Sequence, residues 1–273
     1  MSAKLEGKIA VVTGAGSGIG RGIARALASE GAAVVVADVD LEAAETVVAE
    51  LVGGGAEAVA TRCDVTDRGA VEAMAELAWG TFGRVDLVFN NAGIVGEPAP
   101  CIEIDETAAR AILDVNLVGV WHGCAVFGPR LIAQGGPAHI VNTASENGLA
   151  APVLGRAFYT ASKHAVLGLS DVLRQELPDP IVVSVLCPGI VASKMTGMDG
   201  EENPPVGLGA DEVGRRAVAG ALAGEFYIVT HAPVAQYVEE RATEIAAAFE
   251  RQAPRFDGDG YLDTRALLKG MTE

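Results

Sequence analysis

Seven short runs of apolar, largely β-branched residues recur along this chain without polar alternation: residues 9–12, 34–37, 58–61, 85–89, 139–142, 181–186 and 226–229. Strands that bury both faces look like this, which points to a parallel sheet covered by helices. Between the runs lie longer stretches rich in Ala, Glu and Leu with helical spacing, at 19–30, 41–51, 70–82, 107–134, 159–177 and 211–223. Strand–helix alternation of this kind predicts βαβ units with right-handed crossovers, wound on both faces of one sheet. At 273 residues the chain is expected to form a single α/β domain over 1–273.

Two stretches break the rhythm. Residues 193–209 are rich in Gly and Pro and follow a strand end, where α/β folds place ligands, so a substrate lid is expected there. Residues 233–252 predict an amphipathic helix, with Val234, Val238, Ile245 and Phe249 on one stripe, in a C-terminal extension that spans 231–273.

Charge and composition exclude several classes. The formal net charge is −16, which argues against nucleic acid or an anionic membrane as partner, because phosphate contacts need clustered Lys and Arg. No apolar run approaches the ~20 residues of a membrane span. Glu6 and Lys8 stand where a signal peptide needs its apolar stretch, so a cytoplasmic location is expected. Cys63, Cys101, Cys124 and Cys187 lie far apart and suit neither a zinc site nor a disulfide framework. His122, His139, His164 and His231 show no ligand spacing, and no metal is expected.

The first strand runs directly into Thr13-Gly14-Ala15-Gly16-Ser17-Gly18-Ile19-Gly20, and a helix follows. Glycines let the backbone turn sharply and approach a pyrophosphate, whose charge the free N–H groups of the helix favour. Asp38 closes the second strand, where a carboxylate accepts from the ribose hydroxyls of an adenosine.

With the motifs that follow, the chain resembles the short-chain dehydrogenase/reductase superfamily. The resemblance spans roughly residues 5–230. It rests on the TGxxxGxG run, Asp64-Val65 after strand three, and Asn90-Asn91-Ala92-Gly93 after strand four. It continues through Asn116 within a helix, Ser145 after strand five, Tyr159-x-x-x-Lys163, and Pro188-Gly189 after strand six. The implied fold is a Rossmann-type, doubly wound, mostly parallel seven-stranded sheet with helices on both faces.

By that resemblance Gly14, Ser17, Gly18, Ile19 and Gly20 hold the pyrophosphate, Asp64 and Val65 contact adenine, and Asn91 lies beside the adenosine-side ribose. The cofactor-binding turn 188–193, opened by Pro188 and Gly189, holds the nicotinamide carboxamide through backbone groups of Val191 and the hydroxyl of Ser193. Relatives that prefer NADP usually carry a basic residue in the glycine run or just after strand two. Ser17 and Val39 occupy those places, so the expected cofactor is NAD.

Tyr159 and Lys163 lie four apart, on one helix face. A free phenol has a pKa of ~10 and is a poor base at neutral pH, and an adjacent ammonium, with the positive nicotinamide ring nearby, is expected to pull it down. The resemblance implies that Tyr159 exchanges the alcohol proton and that Lys163 holds the nicotinamide ribose. It also implies that Ser145 orients the substrate oxygen, and that Asn116, in a locally kinked helix, binds a proton-relaying water. Asn147 is a further substrate-contact candidate, and Arg156 a weaker one, for a substrate anion.

The expected activity is NAD-dependent interconversion of a secondary alcohol and a ketone, with an apolar, neutral small-molecule substrate. A 3-oxoacyl-type biosynthetic reductase and a non-catalytic nucleotide-sensing regulator are the alternatives. The family resemblance implies a homotetramer in which the helices over 107–134 and 159–177 pack across a two-fold axis.

Overall fold

A computed structural model of the chain describes residues 4–150, 153–192 and 207–265. Strands β1 (Ile9–Thr13), β2 (Ala33–Asp38), β3 (Ala58–Arg62), β4 (Leu87–Asn90), β5 (Ala138–Thr143), β6 (Ile181–Cys187) and β9 (Tyr227–Val229) form one sheet. Their order is β3-β2-β1-β4-β5-β6-β9, and every neighbouring pair is parallel. All seven runs expected to form strands do so. The order reverses between β1 and β4, and the crevice above such a switch point is where open α/β sheets bind ligands.

Alternate residues of the strands feed two cores. Val11, Val35, Ile140 and Val185 face helices α3 (Arg68–Phe82), α5 (Gly119–Gln134) and α7 (Ala157–Glu176). Val12, Val36, Phe89, Val141 and Leu186 face α1 (Gly18–Ser29), α2 (Leu41–Gly53) and α8 (Ala210–Leu222). A strand enclosed on both sides has no solvent face to mark with polar residues, which is why these strands read as unbroken apolar runs.

The stretch expected as one helix over 107–134 is three pieces: α4 (Glu106–Leu113), a π turn at Asp114–Val118, and α5. The whole of Glu106–Gln134 is long and apolar enough to cross a membrane, with a mean hydropathy of 1.4 over its most apolar window. Over half of that window, 56%, is buried inside the protein, with Phe127 and Leu131 fully enclosed, as befits a core helix.

Two small features frame the chain on either side of the interval 193–206. Strands β7 (Val191–Ala192) and β8 (Leu208–Gly209) pair in parallel, Val191 with Leu208 and Ala192 with Gly209. Helix α8 then crosses α1 backbone to backbone. A Cβ on Gly22 would stand 2.3 Å from the Ala210 carbonyl oxygen, and one on Gly214 would stand 2.2 Å from the carbonyl carbon of Gly22. The lid expected over residues 193–209 lies outside the described residues except for its last three, 207–209.

The chain divides into two compact units, Met1–Ala232 and Pro233–Glu273. The first holds both cores. The second contains α9 (Ala235–Gln252), which carries Val238, Ile245 and Phe249, followed by a short turn at Asp259–Leu262.

Candidate active site

The glycine run links β1 to α1 at the switch point. Gly14 has φ +63°, and a Cβ there would lie 2.8 Å from the Cα of Ala92. The turn after β1 and the turn after β4 therefore approach so closely that only glycine fits. Thr13 and Asn91 tie them together: the Asn91 amide donates to Thr13 Oγ1 at 3.0 Å, and Asn91 Nδ2 donates to the Thr13 carbonyl at 3.0 Å.

Ser17 precedes α1 but makes no side-chain cap, and the first turn of the helix has no acidic residue. Among the described residues no side chain caps its leading N–H groups, and they carry the positive end of the helix dipole. Asp38 stands opposite. Its Oδ2 accepts from the Gly16 amide at 2.8 Å and its Oδ1 from the Asp40 amide at 3.1 Å, so backbone donors orient the carboxylate.

These residues line one end of a cleft of about 440 Å³. Gly14, Ser17, Gly18, Ile19 and Gly20 form its floor beside Asp38, and Asp64, Val65 and Asn91 flank it. Asp64 is held by the amide and hydroxyl of Thr66 at 3.0 and 2.7 Å, and those hydrogen bonds keep its carboxyl below the ordinary value. The same cleft runs on to Thr143, Ser145, Tyr159, Lys163, Pro188, Gly189 and Val191. Ser193 lies outside the described residues.

Tyr159 and Lys163 stand one turn apart on α7, with the Lys163 Nζ 5.7 Å from the centre of the phenol ring. Lys163 is buried, and its ammonium donates to the Thr143 carbonyl at 2.9 Å. Burial lowers its pKa to about 8, with the Cys187 thiol pulling slightly the other way.

The protein's own groups do not by themselves lower the pKa of the phenol. Burial raises the pKa of Tyr159 above the ordinary value; a hydrogen bond with Ser145 and the charge of Arg156 lower it, and the charge of Glu146 raises it further. The protein's own groups therefore hold the phenol protonated, because desolvation outweighs the cations near it.

Ser145 begins the short helix α6 (Glu146–Leu149), where its hydroxyl accepts from the Asn147 amide at 3.2 Å. Asn147 is buried and its Oδ1 has no hydrogen-bond partner among the described residues, but it does not line the cleft. Arg156 is committed to the Gly96 carbonyl. Asn116 is fully buried within the π turn and lies behind the cleft wall. Its Oδ1 accepts from the Ile94 amide at 2.8 Å, and its Nδ2 donates to the Ile94 carbonyl at 2.8 Å and to Ser162 Oγ at 3.1 Å. Its side chain ties the turn that follows β4 to helix α7.

Some of the cleft went unread in the sequence. Thr143 receives the lysine through its backbone carbonyl, which any residue would supply and which leaves no trace in composition. Ile94 and Val115 line the cleft as ordinary apolar residues. His231 packs against the turn after β6 through two hydrogen bonds, and a third joins it to Thr230, although nothing in its sequence neighbourhood marks it.

Comparison with known proteins identifies the architecture. Residues 8–204 match the short chain dehydrogenase family. The chain belongs to that family. It is 41% identical over 236 residues to a 1-deoxy-11-beta-hydroxypentalenate dehydrogenase of Streptomyces avermitilis, covering 84% of this chain and 86% of the relative. It is 38% identical to a cyclohexanol dehydrogenase of an Acinetobacter species, covering 89% of this chain and 97% of the relative. A short chain dehydrogenase/reductase from Burkholderia phymatum, solved in complex with NAD, superposes with a TM-score of 0.83 at 34% identity, covering 93% of this chain and 98% of the other.

Short-chain dehydrogenases are oxidoreductases that use a nicotinamide dinucleotide, and the residues present fit such a group. The uncapped start of α1 offers N–H donors to a pyrophosphate. The oriented Asp38 carboxylate offers acceptors to a ribose at the far side of the glycine run. Tyr159 and Lys163 close the opposite end of the same cleft.

Proposed function

We propose that this chain interconverts a secondary alcohol and its ketone with NAD(H). One observation carries the reading: a single cleft joins the glycine run and Asp38 at one end to Ser145, Tyr159 and Lys163 at the other. When bound, the nicotinamide accepts or returns a hydride and, in its oxidised form, brings a positive charge to the catalytic end.

Tyr159 exchanges the proton on the substrate oxygen. The phenol is protonated in the protein alone, so it is ready as the acid for ketone reduction and needs added positive charge to serve as the base. Lys163 supplies donors toward the ribose hydroxyls, and Ser145 orients the substrate oxygen from the other side of the phenol. Asn116 positions rather than reacts.

Asp38 favours NAD over NADP. A 2′-phosphate beside it costs up to ~4 kcal/mol per unit of like charge at ~4 Å and an effective dielectric near 20. Ser17 and Val39 offer no compensating cation.

The proposed substrate is apolar and neutral. Between Ile190 and Gly214 the only cation in the sequence is Lys194, against Asp199, Glu201, Glu202, Asp211 and Glu212. That balance repels a phosphate-bearing carrier. The relative named for cyclohexanol supports an alicyclic alcohol. Following the resemblance, we further propose a homotetramer built on α4–α5 and α7, and a cytoplasmic location.

The test is NAD⁺ reduction, followed by absorbance, with cyclohexanol and other alicyclic or aryl alcohols against a 3-hydroxyacyl-coenzyme A. Turnover of a free alcohol that falls by ~10²–10⁴ in Tyr159→Phe, with NAD binding retained, supports the reading. A clear preference for the thioester, or a Tyr159→Phe variant with more than about a tenth of wild-type turnover, overturns it.

A further inference from the structure

The turn at residues 188–190 leaves β6 at the catalytic end of the cleft, and its backbone is gripped from two sides. On one side the Pro188 carbonyl accepts from the Glu146 amide at 2.8 Å and lies 3.4 Å from Ser145 Oγ. On the other side stands His231, just beyond β9. The Gly189 amide meets its Nδ1 at 2.9 Å, and its Nε2 meets the Ile190 carbonyl at 2.9 Å. Gly189 is wedged between the two grips. An added Cβ would lie 2.6 Å from Glu146 Oε2 and 2.6 Å from His231 Cγ.

These contacts determine the state of the imidazole. A backbone amide only donates and a carbonyl only accepts, so Nδ1 carries no proton and Nε2 carries one. The Thr230 hydroxyl, 2.7 Å from Nδ1, therefore donates to it as well. Thr230 is itself buried, and its carbonyl accepts from Arg216 Nη1 at 2.6 Å. The ring is thus a neutral bridge that reads both the donor and the acceptor of one turn. No aliphatic side chain, and no lysine or arginine, offers an acceptor and a donor in this arrangement.

We propose that His231 is a positioning residue for the nicotinamide end of the cleft. By fixing the Gly189 amide and the Ile190 carbonyl, it sets the backbone against which the carboxamide of the cofactor is held. The inference rests on the NAD(H) reading of the cleft given above. It assigns His231 to binding and orientation, with no contact to the reacting atoms.

The test compares dissociation constants of wild type, His231→Phe and His231→Asn for NADH and for ADP-ribose, which keeps the adenosine and pyrophosphate and lacks the nicotinamide. Losing the two bonds to the turn is expected to weaken NADH by about tenfold in His231→Phe, with ADP-ribose changed by less than about twofold. Asn places an acceptor near the position of Nδ1 and no donor at the Ile190 carbonyl, so His231→Asn is expected to fall between the other two. If His231→Phe does not fold, His231→Asn decides, by the same selective loss for NADH. Equal weakening of both ligands means a general structural role and overturns the proposal. So does NADH binding that is unchanged in both variants when the wild type binds NADH. A wild type that binds no NADH removes the NAD(H) reading and this proposal with it.

Discussion

Asn116 clamps Ile94 by both of its backbone groups, accepting from the amide and donating to the carbonyl, each at 2.8 Å. The π turn at Asp114–Val118 carries this side chain to the segment after β4, twenty-two residues back in sequence. The clamp forms part of the wall between the helix layer and the cleft.

Asn116→Ala removes both bonds and leaves two backbone groups of Ile94 unpaired. Ile94 is itself exposed, so water can reach its backbone; at a net ~0.5–1.5 kcal/mol for each hydrogen bond lost, the variant is expected to lose about 1–3 kcal/mol of stability, together with most of its turnover. Urea denaturation checks the first figure. A loss under about 1 kcal/mol would mean that water replaces the clamp at no cost.

Lys163 sets function against stability. Unfolded, its ammonium titrates near 10.5; folded, burial brings it to about 8. Between those values the unfolded chain binds more protons, so this group's penalty is absent above 10.5 and fully present below about 8. Removing the charge relieves up to about 3 kcal/mol at neutral pH, less about 1 kcal/mol for the unpaired Thr143 carbonyl. Lys163→Met is therefore expected to melt higher than wild type at pH 7 while losing activity. A lower melting temperature would show that the ammonium stabilises the fold.

Asp38 is expected to hold the preference for NAD over NADP at ~100-fold or more in efficiency. In Asp38→Ala the repulsion goes, and with it the bond from the Gly16 amide, so the ratio narrows while efficiency with NAD also falls. Steady-state kinetics with both cofactors measure this. Equal use of NADP by the wild type is the contrary result.

Much of this was legible before any coordinates. The seven strands announce themselves because burial on both faces favours apolar, largely β-branched residues, and the glycine run because two turns pack too closely for a Cβ at Gly14. What escaped was set by distant contacts. The π turn, which widens a helix by one residue without altering its apolar stripe, shows beforehand only as the local kink that the family resemblance implies at Asn116. Strands β7 and β8, two residues each, are too short to carry a pattern. The protonated state of Tyr159 arises from burial by several elements, whereas spacing reveals only the lysine four residues on. His231 gains its partners from a turn some forty residues earlier.

Acid sensitivity is expected from His139. Its Nε2 bonds Ser184 Oγ at 2.7 Å, and that hydroxyl donates onward to the Glu225 carbonyl, so the ring is the donor and is neutral. Burial lowers its pKa from 6.5 to about 4. The unfolded chain therefore binds more protons between those values, and stability falls by up to about 3 kcal/mol as pH drops from 6.5 to about 4. Subtracting the pH profile of His139→Gln from that of wild type isolates this share. Parallel profiles would rule it out.

The pairing of β7 with β8 brings the chain back beside the point where it left, and the glycines of α1 and α8 lock the return in place. An interval spliced in this way is exchangeable. Should the interval act as the substrate lid expected from the sequence, its length and chemistry can change while the junction stays as it is, and substrate preference and fold stability can evolve as separate traits. A chimera carrying a relative's stretch in place of residues 193–206 is expected to melt close to the parent and to choose a different alcohol. Thermal melts and a substrate panel measured on one preparation would reveal any linkage between the two.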